Sequence, residues 1–306
     1  MFNLNEAKRS KAKLRLAIDG PSGSGKTYSA LLIAYGITKD WSKIAVIDTE
    51  RESANLYEDL CNNSKTGKYK TGQINAPFTP QKYIEAIDFC EKAEIEVIII
   101  DSLTHAWTAE GGLLDLHDTA MKKQRTQNGY TAWADVTPLH RKLVDAILTS
   151  PCHVICTIRS ETDYAQEKDN NGKTKIVKVG MKPQFRKGLD YEMTIVFSMD
   201  QDHNATINKS RINSFPVNDK ISPNIETGEK LLKWLNEGDD IPICADCGKE
   251  IKSYGNMSAM EVALYAQRKF GKTLCTECGA KENELTYSDG EARKEINDIL
   301  GGTPNE

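Results

Sequence analysis

The feature that most constrains this chain is a glycine-rich run at 19–28, DGPSGSGKTY. Residues 20–27 match the pattern G-x-x-x-x-G-K-[ST] without a mismatch. A strand candidate at 13–18 precedes the run, and an apolar helix candidate at 28–36, closed by Gly36, follows it. A strand, a glycine-rich loop and a helix in this order predict a phosphate-binding loop at a helix N-terminus. The sequence therefore predicts a nucleoside triphosphate site.

Each residue type in the loop has a predicted task. Glycines let backbone N–H groups turn inward around the β-phosphate, and Lys26 reaches the β- and γ-phosphates and takes part in catalysis. The Thr27 hydroxyl is a predicted Mg²⁺ ligand, which makes ATP and Mg²⁺ the expected cofactors. The predicted nucleotide contacts are Gly20, Pro21, Ser22, Gly23, Ser24, Gly25, Lys26, Thr27 and Tyr28.

The length of 306 residues accommodates one large α/β domain and a small appendage. We expect an ATPase core at 1–238, a cysteine module at 239–285 and a mobile tail with a short helix at 286–306. The net charge of −4 means that any nucleic-acid surface is a local patch. The N-terminus lacks the apolar core of a signal peptide, and the longest aliphatic run, 97–100, is far shorter than a membrane span. A cytoplasmic protein without a membrane partner is expected.

Strand and helix candidates alternate through the first half of the chain. Strand candidates lie at 13–18, 43–50, 95–100 and 153–158, and helix candidates at 80–90, 111–124 and 131–149. A hairpin at 163–180 turning on Asn171-Gly172, two strands at 191–199 and 205–211 and a helix at 225–235 follow. Residues 53–79 are expected to be an irregular polar excursion. The pattern predicts an α/β fold with a mostly parallel sheet and antiparallel additions.

Two acids end predicted strands, where ligands of open α/β sheets bind. Asp101 is positioned to hold Mg²⁺ through water, with the capping of a following helix as its alternative role. Glu50 is positioned to accept a proton from the water that attacks the γ-phosphate. Alternatively, Glu50 and Glu52 complement the dipole of a helix that starts near Ser53.

Segments 20–27, 47–50, 99–102 and 208–211 together resemble the core of RecA-type ATPases. The resemblance implies a RecA-like P-loop NTPase fold with Glu50 as the catalytic base. More narrowly, residues 12–237 resemble the phage-encoded RecA-like proteins known as Sak-type single-strand annealing ATPases. That likeness implies a role in phage recombination in the host cell cytoplasm, together with other phage recombination or single-strand-binding proteins.

The resemblance also implies a homo-oligomer, either a ring or a filament. Lys209 and Arg211 resemble the fingers that reach a neighbouring subunit's ATP and act in catalysis, and the alternative is an exposed basic strand edge. Thr157 and Arg159 end the strand on which the superfamily keeps a residue that senses the γ-phosphate. Glutamine is common at that position in RecA itself, and Thr157 departs from this pattern. The identity of the residue that senses the γ-phosphate therefore stays open.

Two insertions follow strand ends at the places where RecA-like proteins carry DNA-binding loops. Basic residues interleaved with aromatic ones suit single-stranded DNA, because cations neutralise phosphates and flat rings stack on bases. The candidate basic residues are Lys122, Lys123 and Arg125 in the first insertion, and Lys173, Lys175, Lys178, Lys182 and Arg186 in the second. The accompanying aromatics are Trp133, Tyr164 and Phe185. A solvated hairpin whose lysines protect an edge strand is the alternative.

Four of the eight cysteines form two C-x-x-C-G knuckles, at 244–248 and 275–279. We predict that Cys244, Cys247, Cys275 and Cys278 bind a structural Zn²⁺, with disulfide pairing as the alternative. The spacing between the knuckles is longer than usual because 258–267 forms an inserted helix. The glycines after the knuckles suit positive-φ turns.

These features together predict a DNA-stimulated ATPase that anneals or pairs single-stranded DNA. Two other functions use the same motifs. One is a DnaB-like helicase or loader, and the other is a nucleotide-gated regulator that acts on a protein partner.

Overall fold

The computed structural model describes residues 11–62, 64–124, 128–168, 174–238, 242–255, 257 and 259–286. Side chains are described throughout these ranges except at 162–168, 174–181 and 284–286. The chain divides into two compact units, one formed by Lys13–Trp234 and the other by residues from Leu235 onward together with the N-terminal stretch that ends at Ala12. None of the described helices has both the length and the apolar character needed to cross a membrane.

The strands and helices alternate in the larger unit, and two helices belong to the smaller one. The described strands are β1 Arg15–Gly20, β2 Ile44–Asp48, β3 Lys70–Gln73, β4 Val97–Asp101, β5 His153–Lys168, β6 Thr174–Pro183, β7 Ile195–Met199, β8 Ala205–Ser210 and β9 Lys220–Ile221. The described α-helices are α1 Lys26–Thr38, α2 Pro80–Lys92, α3 His105–Thr108, α4 Leu113–Lys123, α5 Gly129–Thr149, α6 Leu189–Glu192, α7 Ile225–Leu235, α8 Ala259–Phe270 and α9 Thr276–Thr286.

One sheet runs in the order β3-β2-β4-β5-β1-β7-β8-β9, and β6 pairs with β5. The strands from β3 to β7 in this order are parallel, whereas β8, β9 and β6 pair antiparallel with their neighbours. The predicted α/β fold with a mostly parallel sheet and antiparallel additions is confirmed. The parallel pairing places Gly20 beside Arg159 and Asp48 beside Asp101, so the strand ends that carry the candidate site meet at one edge.

The centre of the sheet is buried on both faces, as expected for parallel strands between helices. Val97, Ile98, Ile99 and Ile100 of β4 are all fully buried. One face packs against α2 and α5 through a cluster that joins Ile98 and Ile100 to side chains such as Tyr83 and Leu143. Contacts of α1 with β1, β4 and β5 bring the phosphate-binding loop to the carboxyl ends of these strands.

The elements that depart from the sequence expectations include α1, the segment 53–79 and α9. Helix α1 passes through Gly36 and ends at Thr38, so the prediction that Gly36 closes the helix is wrong. The segment 53–79, expected to be irregular, contains a 3-10 helix at Ser53–Cys61 and the edge strand β3. All four residues of β3 are exposed, which explains why no apolar pattern marked it. The second cysteine knuckle continues into α9, which the sequence analysis did not predict.

The predicted hairpin at 163–180 is confirmed by the antiparallel pairing of β5 with β6. Its Asn171-Gly172 turn lies outside the described residues, as does the short helix expected in the C-terminal tail.

Candidate nucleotide site and cysteine cluster

The loop between β1 and α1 has the backbone conformation that its glycines permit. Gly23 and Gly25 adopt φ angles of +80° and +83°, which other residues rarely adopt. Within the described part of the chain, the buried Ser24 Oγ has no hydrogen-bond partner. Lys26 Nζ donates to the carbonyl oxygens of Gly20 at 3.0 Å and Pro21 at 2.7 Å, so it lies folded over the loop. A loop with two positive-φ glycines, an unpaired hydroxyl and a lysine within reach fits the phosphates of a nucleotide.

Burial and the neighbouring carboxylates shift the pKa of Lys26 in opposite directions. Its partial burial lowers the pKa of the ammonium group, and the carboxylates of Asp101 and Glu50 counteract this effect. The structure therefore brings the predicted acids within electrostatic range of the loop lysine.

Asp101 and Thr27, the two predicted Mg²⁺ ligands, are in direct contact. Thr27 Oγ1 donates to Asp101 Oδ2 at 2.7 Å, and Thr157 Oγ1 donates to Asp101 Oδ1 at 2.5 Å. Burial raises the pKa of Asp101, and these two hydrogen bonds oppose the rise. The alternative role for Asp101 is to cap a following helix. The next helix, α3, begins at His105, and the hydrogen bonds of the Asp101 side chain described above are made with Thr27 and Thr157 instead.

Glu50 forms an ion pair with Arg159 across the site. Its Oε1 accepts from Arg159 Nε at 2.9 Å and from Nη2 at 2.8 Å. The 3-10 helix beginning at Ser53 is capped by another acid, because Asp48 Oδ2 accepts from the Ala54 N–H at 3.2 Å. Asp48 Oδ1 also accepts from the Glu50 N–H at 2.6 Å, which fixes the backbone from which the Glu50 side chain projects.

Several residues at the loop carried no sequence signal. The turn between β7 and β8 lies against the loop: Gln201 Nε2 donates to the Ser22 carbonyl at 3.3 Å, and a Cβ built on Gly25 would lie 3.0 Å from His203 Nδ1. The ring of Tyr57 meets that of Tyr28 edge to face at 6.0 Å. Turn residues and isolated tyrosines have no characteristic spacing, so only the folded chain reveals these neighbours.

A family model described as an AAA domain matches residues 12–227, well over half of the chain. The chain belongs to this AAA domain family. The AAA domain is a P-loop NTPase domain, and the protein is accordingly a nucleotide-binding ATPase. A comparison with curated proteins finds no match. The cysteine knuckles lie beyond the matched residues.

The residues of the AAA domain fit the groups that its chemistry uses. Thr27 and Asp101 offer adjacent oxygens to Mg²⁺, and a Mg²⁺ ion supplies charge neutralisation on the phosphates when bound. Lys26 and the loop N–H groups are placed to bind phosphate oxygens. Glu50 is a quarter exposed, so water can reach its carboxylate.

Lys209 and Arg211, the predicted fingers, contact α6 of their own chain. Lys209 Nζ donates to the carbonyl oxygens of Tyr191, at 2.6 Å, and Met193, and Arg211 Nη2 donates to Tyr191 at 2.9 Å. The two side chains reach the same carbonyl, in line with their i and i+2 spacing. Their described contacts do not include the phosphate-binding loop of the same AAA domain.

The residues predicted to bind DNA are dispersed in what the structure describes. Lys122 and Lys123 are exposed at the end of α4, and Lys182 is exposed at the end of β6. Arg125 and Lys173 lie outside the described residues, and Lys175 and Lys178 are described by backbone only, within β6. The expectation that Phe185 offers a surface ring is wrong, because Phe185 is only 8% exposed and packs near Trp107 and His140.

The four knuckle cysteines come together in the smaller unit. Their sulfur atoms all lie within 4.8 Å of one another, and Cys247 Sγ is 3.8 Å from Cys275 Sγ. A tetrahedral zinc site with Zn–S distances near 2.3 Å requires sulfur separations of roughly 3.8 Å, whereas a disulfide requires about 2.05 Å. All four thiols are free, so this cluster fits Zn²⁺ and not a disulfide pair.

The two knuckles differ in how they turn. Gly248 has the expected positive φ of +68°. Gly279 lies inside α9, and its N–H donates to the Cys275 carbonyl, so the expected positive-φ turn is wrong for the second knuckle. The predicted inserted helix is confirmed as α8.

Proposed function

We propose that this AAA domain protein is a RecA-like ATPase that binds single-stranded DNA and anneals or pairs it in phage recombination. The observation that carries the proposal is the path of β5. This strand holds Thr157 on Asp101 and Arg159 on Glu50, and then continues, past a bulge at Asp163 and Tyr164, into the lysine-bearing hairpin that it forms with β6. One continuous element thus joins the nucleotide site to the candidate DNA surface.

The same path supports a mechanism in which nucleotide and DNA binding are coupled. In the proposed reaction, Lys26 binds the β- and γ-phosphates and Glu50 accepts the proton of the attacking water. Arg159 orients the Glu50 carboxylate through its two hydrogen bonds. A shift of the hairpin when DNA binds would move Arg159, and with it the base.

The proposed assembly is a ring or filament in which Lys209 and Arg211 act on the neighbour's nucleotide. Their contacts with the Tyr191 carbonyl hold both cations on one side of β8, from which they can be presented together. Light scattering run alongside phosphate release tests this assembly. A monodisperse monomer with full turnover would exclude it.

The decisive experiment measures ATP hydrolysis with and without single-stranded DNA for the wild type and for Glu50→Gln. Single-stranded DNA is expected to raise the wild-type rate. Glu50→Gln is expected to bind ATP but to hydrolyse it roughly 10²- to 10⁴-fold more slowly, because the amide cannot accept the proton. Glu85→Gln, which alters an exposed glutamate on α2, is the matched control and is expected to keep the wild-type rate.

Three outcomes would contradict the proposal. Hydrolysis that does not respond to DNA, by a protein without affinity for single strands, would favour a nucleotide-gated regulator of a protein partner. Displacement of a strand from a forked duplex would favour a helicase or loader. Undiminished hydrolysis by Glu50→Gln would exclude Glu50 as the base.

A further inference from the structure

A cavity of about 560 Å³ lies beside the base of the β5–β6 hairpin. Its lining comes from two parts of the chain that are distant in sequence. Trp107 of α3, Leu114 of α4 and Trp133 of α5 contribute from one part, and Glu161 of β5 with residues 182–187 from the other. This cavity contains none of the nucleotide-site residues described above, so the ATPase chemistry does not account for it.

Aromatic rings dominate one side of the cavity. The Trp107 and Trp133 rings lie nearly parallel, with an interplanar angle of 13° and centroids 5.8 Å apart. Phe185 packs behind Trp107, with centroids 5.8 Å apart, and His117 stacks on Trp133 at 4.3 Å. Both tryptophans remain partly exposed, whereas Phe185 is buried. The partly exposed portions of the two tryptophan rings therefore line the cavity.

Positive charge surrounds these rings. The Arg186 guanidinium lies 4.9 Å above the Trp133 ring, and its Nη1 is 3.3 Å from Thr137 Oγ1. Lys182 and Lys187 are exposed on the same lining segment. The lining also holds one acid, Glu161, which accepts a hydrogen bond from Gln184 at 3.1 Å. Three cations and one carboxylate give the cavity a net positive charge.

We propose that this cavity takes an unstacked base of single-stranded DNA, which packs against the exposed parts of the Trp107 and Trp133 rings, while Lys182, Arg186 and Lys187 neutralise the adjoining phosphates. The inference rests on the proposed function and specifies where a base is held. Flat rings and cations together match a nucleotide, whose π-face and phosphate are covalently joined. Bases in a duplex are stacked on each other, so the cavity selects single strands.

The position of the cavity connects base binding to the nucleotide site. Trp107 follows β4, which ends at the Mg²⁺-ligand candidate Asp101, and Glu161 follows Arg159 on β5. A base bound in the cavity would therefore contact β5 and the segment that follows β4, and these two strands carry Arg159 and Asp101. DNA stimulation of hydrolysis is expected to depend on this occupancy.

The test compares the affinity of the full-length protein for an oligothymidine and for an abasic strand of equal length. Wild-type protein is expected to bind the oligothymidine about tenfold more tightly, because only that strand has bases to stack. Trp133→Ala and Trp107→Ala are each expected to reduce this ratio towards one by weakening oligothymidine binding. Lys187→Ala is expected to weaken both strands alike and to reduce the salt dependence of binding.

Two further variants keep the test decisive. Trp133→Phe retains a ring and is expected to keep most of the preference for bases, and thermal unfolding reports whether each variant is folded. Phe89→Ala removes an aromatic side chain that is 74% exposed on α2, outside the cavity, and is expected to leave the ratio unchanged. An unchanged ratio in folded Trp133→Ala and Trp107→Ala would overturn the inference alone. Wild-type protein that binds neither strand would overturn the proposed function as well.

Discussion

At the residue scale, the site depends on which partner each buried polar group meets. Asp101 accepts from two threonines, and Glu50 accepts from Arg159. For Asp101, which is buried, the absence of such donors would cost several kcal/mol of desolvation, so its two hydrogen bonds stabilise the fold. For Glu50, which is a quarter exposed, the contact with Arg159 serves mainly to orient the carboxylate.

His153, at the start of β5 and away from the nucleotide site, is another buried polar group that is held by a hydrogen bond. It is 7% exposed, and its Nδ1 accepts the Leu14 N–H at 3.0 Å. Burial, together with the Lys13 and Arg15 cations, lowers its pKa to about 3. In the unfolded chain the same imidazole has a pKa near 6.5, so it gains a proton on unfolding at any pH between these values.

We predict from this difference that the protein loses stability as the pH falls below about 6.5. The depressed pKa of folded His153 means that its contribution is fully present above the unfolded pKa and is lost on acidification towards pH 3. Each such group adds a slope of about 1.4 kcal/mol per pH unit. His153→Gln keeps an acceptor for Leu14 but does not titrate, so its urea-unfolding free energy is expected to fall less steeply between pH 6 and 4.

His140 contributes in the same direction, because burial and the nearby Arg186 and Arg141 lower its pKa to about 4. A double variant with His140→Gln is therefore expected to flatten the slope further. Identical slopes for the wild type and His153→Gln would contradict the assignment.

At the element scale, the helices depend on close backbone approach. Gly36 of α1 faces Gly228 of α7, and a Cβ built on Gly36 would lie 2.1 Å from the Ile225 carbonyl oxygen and 2.9 Å from the Gly228 Cα. Both contacts are with backbone atoms, which cannot move aside as a flexible side chain would. This crossing explains why a glycine stands inside α1 instead of ending it.

Gly36→Ala is predicted to destabilise the protein by about 3 kcal/mol, at the upper end of overpacking costs. Helix propensity alone predicts the opposite sign, a gain of about 1 kcal/mol, so urea unfolding distinguishes the two effects. Gly72→Ala in β3 is the control, since no atom lies within 4 Å of its added Cβ. A gain in stability for Gly36→Ala would show that the helices do not cross here.

Arg15 binds the C-terminal end of helix α5. In the sequence it closes a basic run with Lys11 and Lys13, a pattern typical of a solvated face. Arg15 is instead 6% exposed and donates to the carbonyl oxygens of Leu148 and Ser150 at the end of α5, and of Cys152 beyond it. Its role is to bind the unpaired carbonyls that follow the last turn of α5.

At the scale of the whole molecule, the two units differ in what stabilises them. The larger unit has an extensive core around the sheet. The described core of the smaller unit consists of six buried residues, among them Cys244, Ile251 and Leu274. A core of that size does not normally sustain a fold without a cross-link or a metal.

Metal analysis is therefore predicted to find one zinc per chain, and a chelator is predicted to abolish the protection of α8 and α9 in hydrogen exchange. Cys247→Ser is expected to lose the zinc, because three thiolates no longer complete the tetrahedron. Cys61→Ser, which alters a buried thiol of the larger unit, is the control and is expected to retain it. Zinc retained by Cys247→Ser would exclude the four-cysteine site.

Local patterns along the chain encode several features of this protein. The glycine-rich loop, the acid ending β4, the paired cysteines and the succession of strands and helices are all readable, because their chemistry requires fixed residue types at short spacing. The contacts that complete the site join elements distant along the chain. Glu50 and Arg159 are 109 residues apart, and Asp101 and Thr157 are 56 apart.

Those pairings arise in the folded chain, because they follow from strand order and register. Placing β5 between β1 and β4 brings Arg159 and Thr157 to the acids, and no local pattern specifies that placement. The same holds for the cavity between Trp107, Trp133 and the hairpin base. Side chains that meet through space obey no spacing rule along the sequence, and the fold alone brings them together.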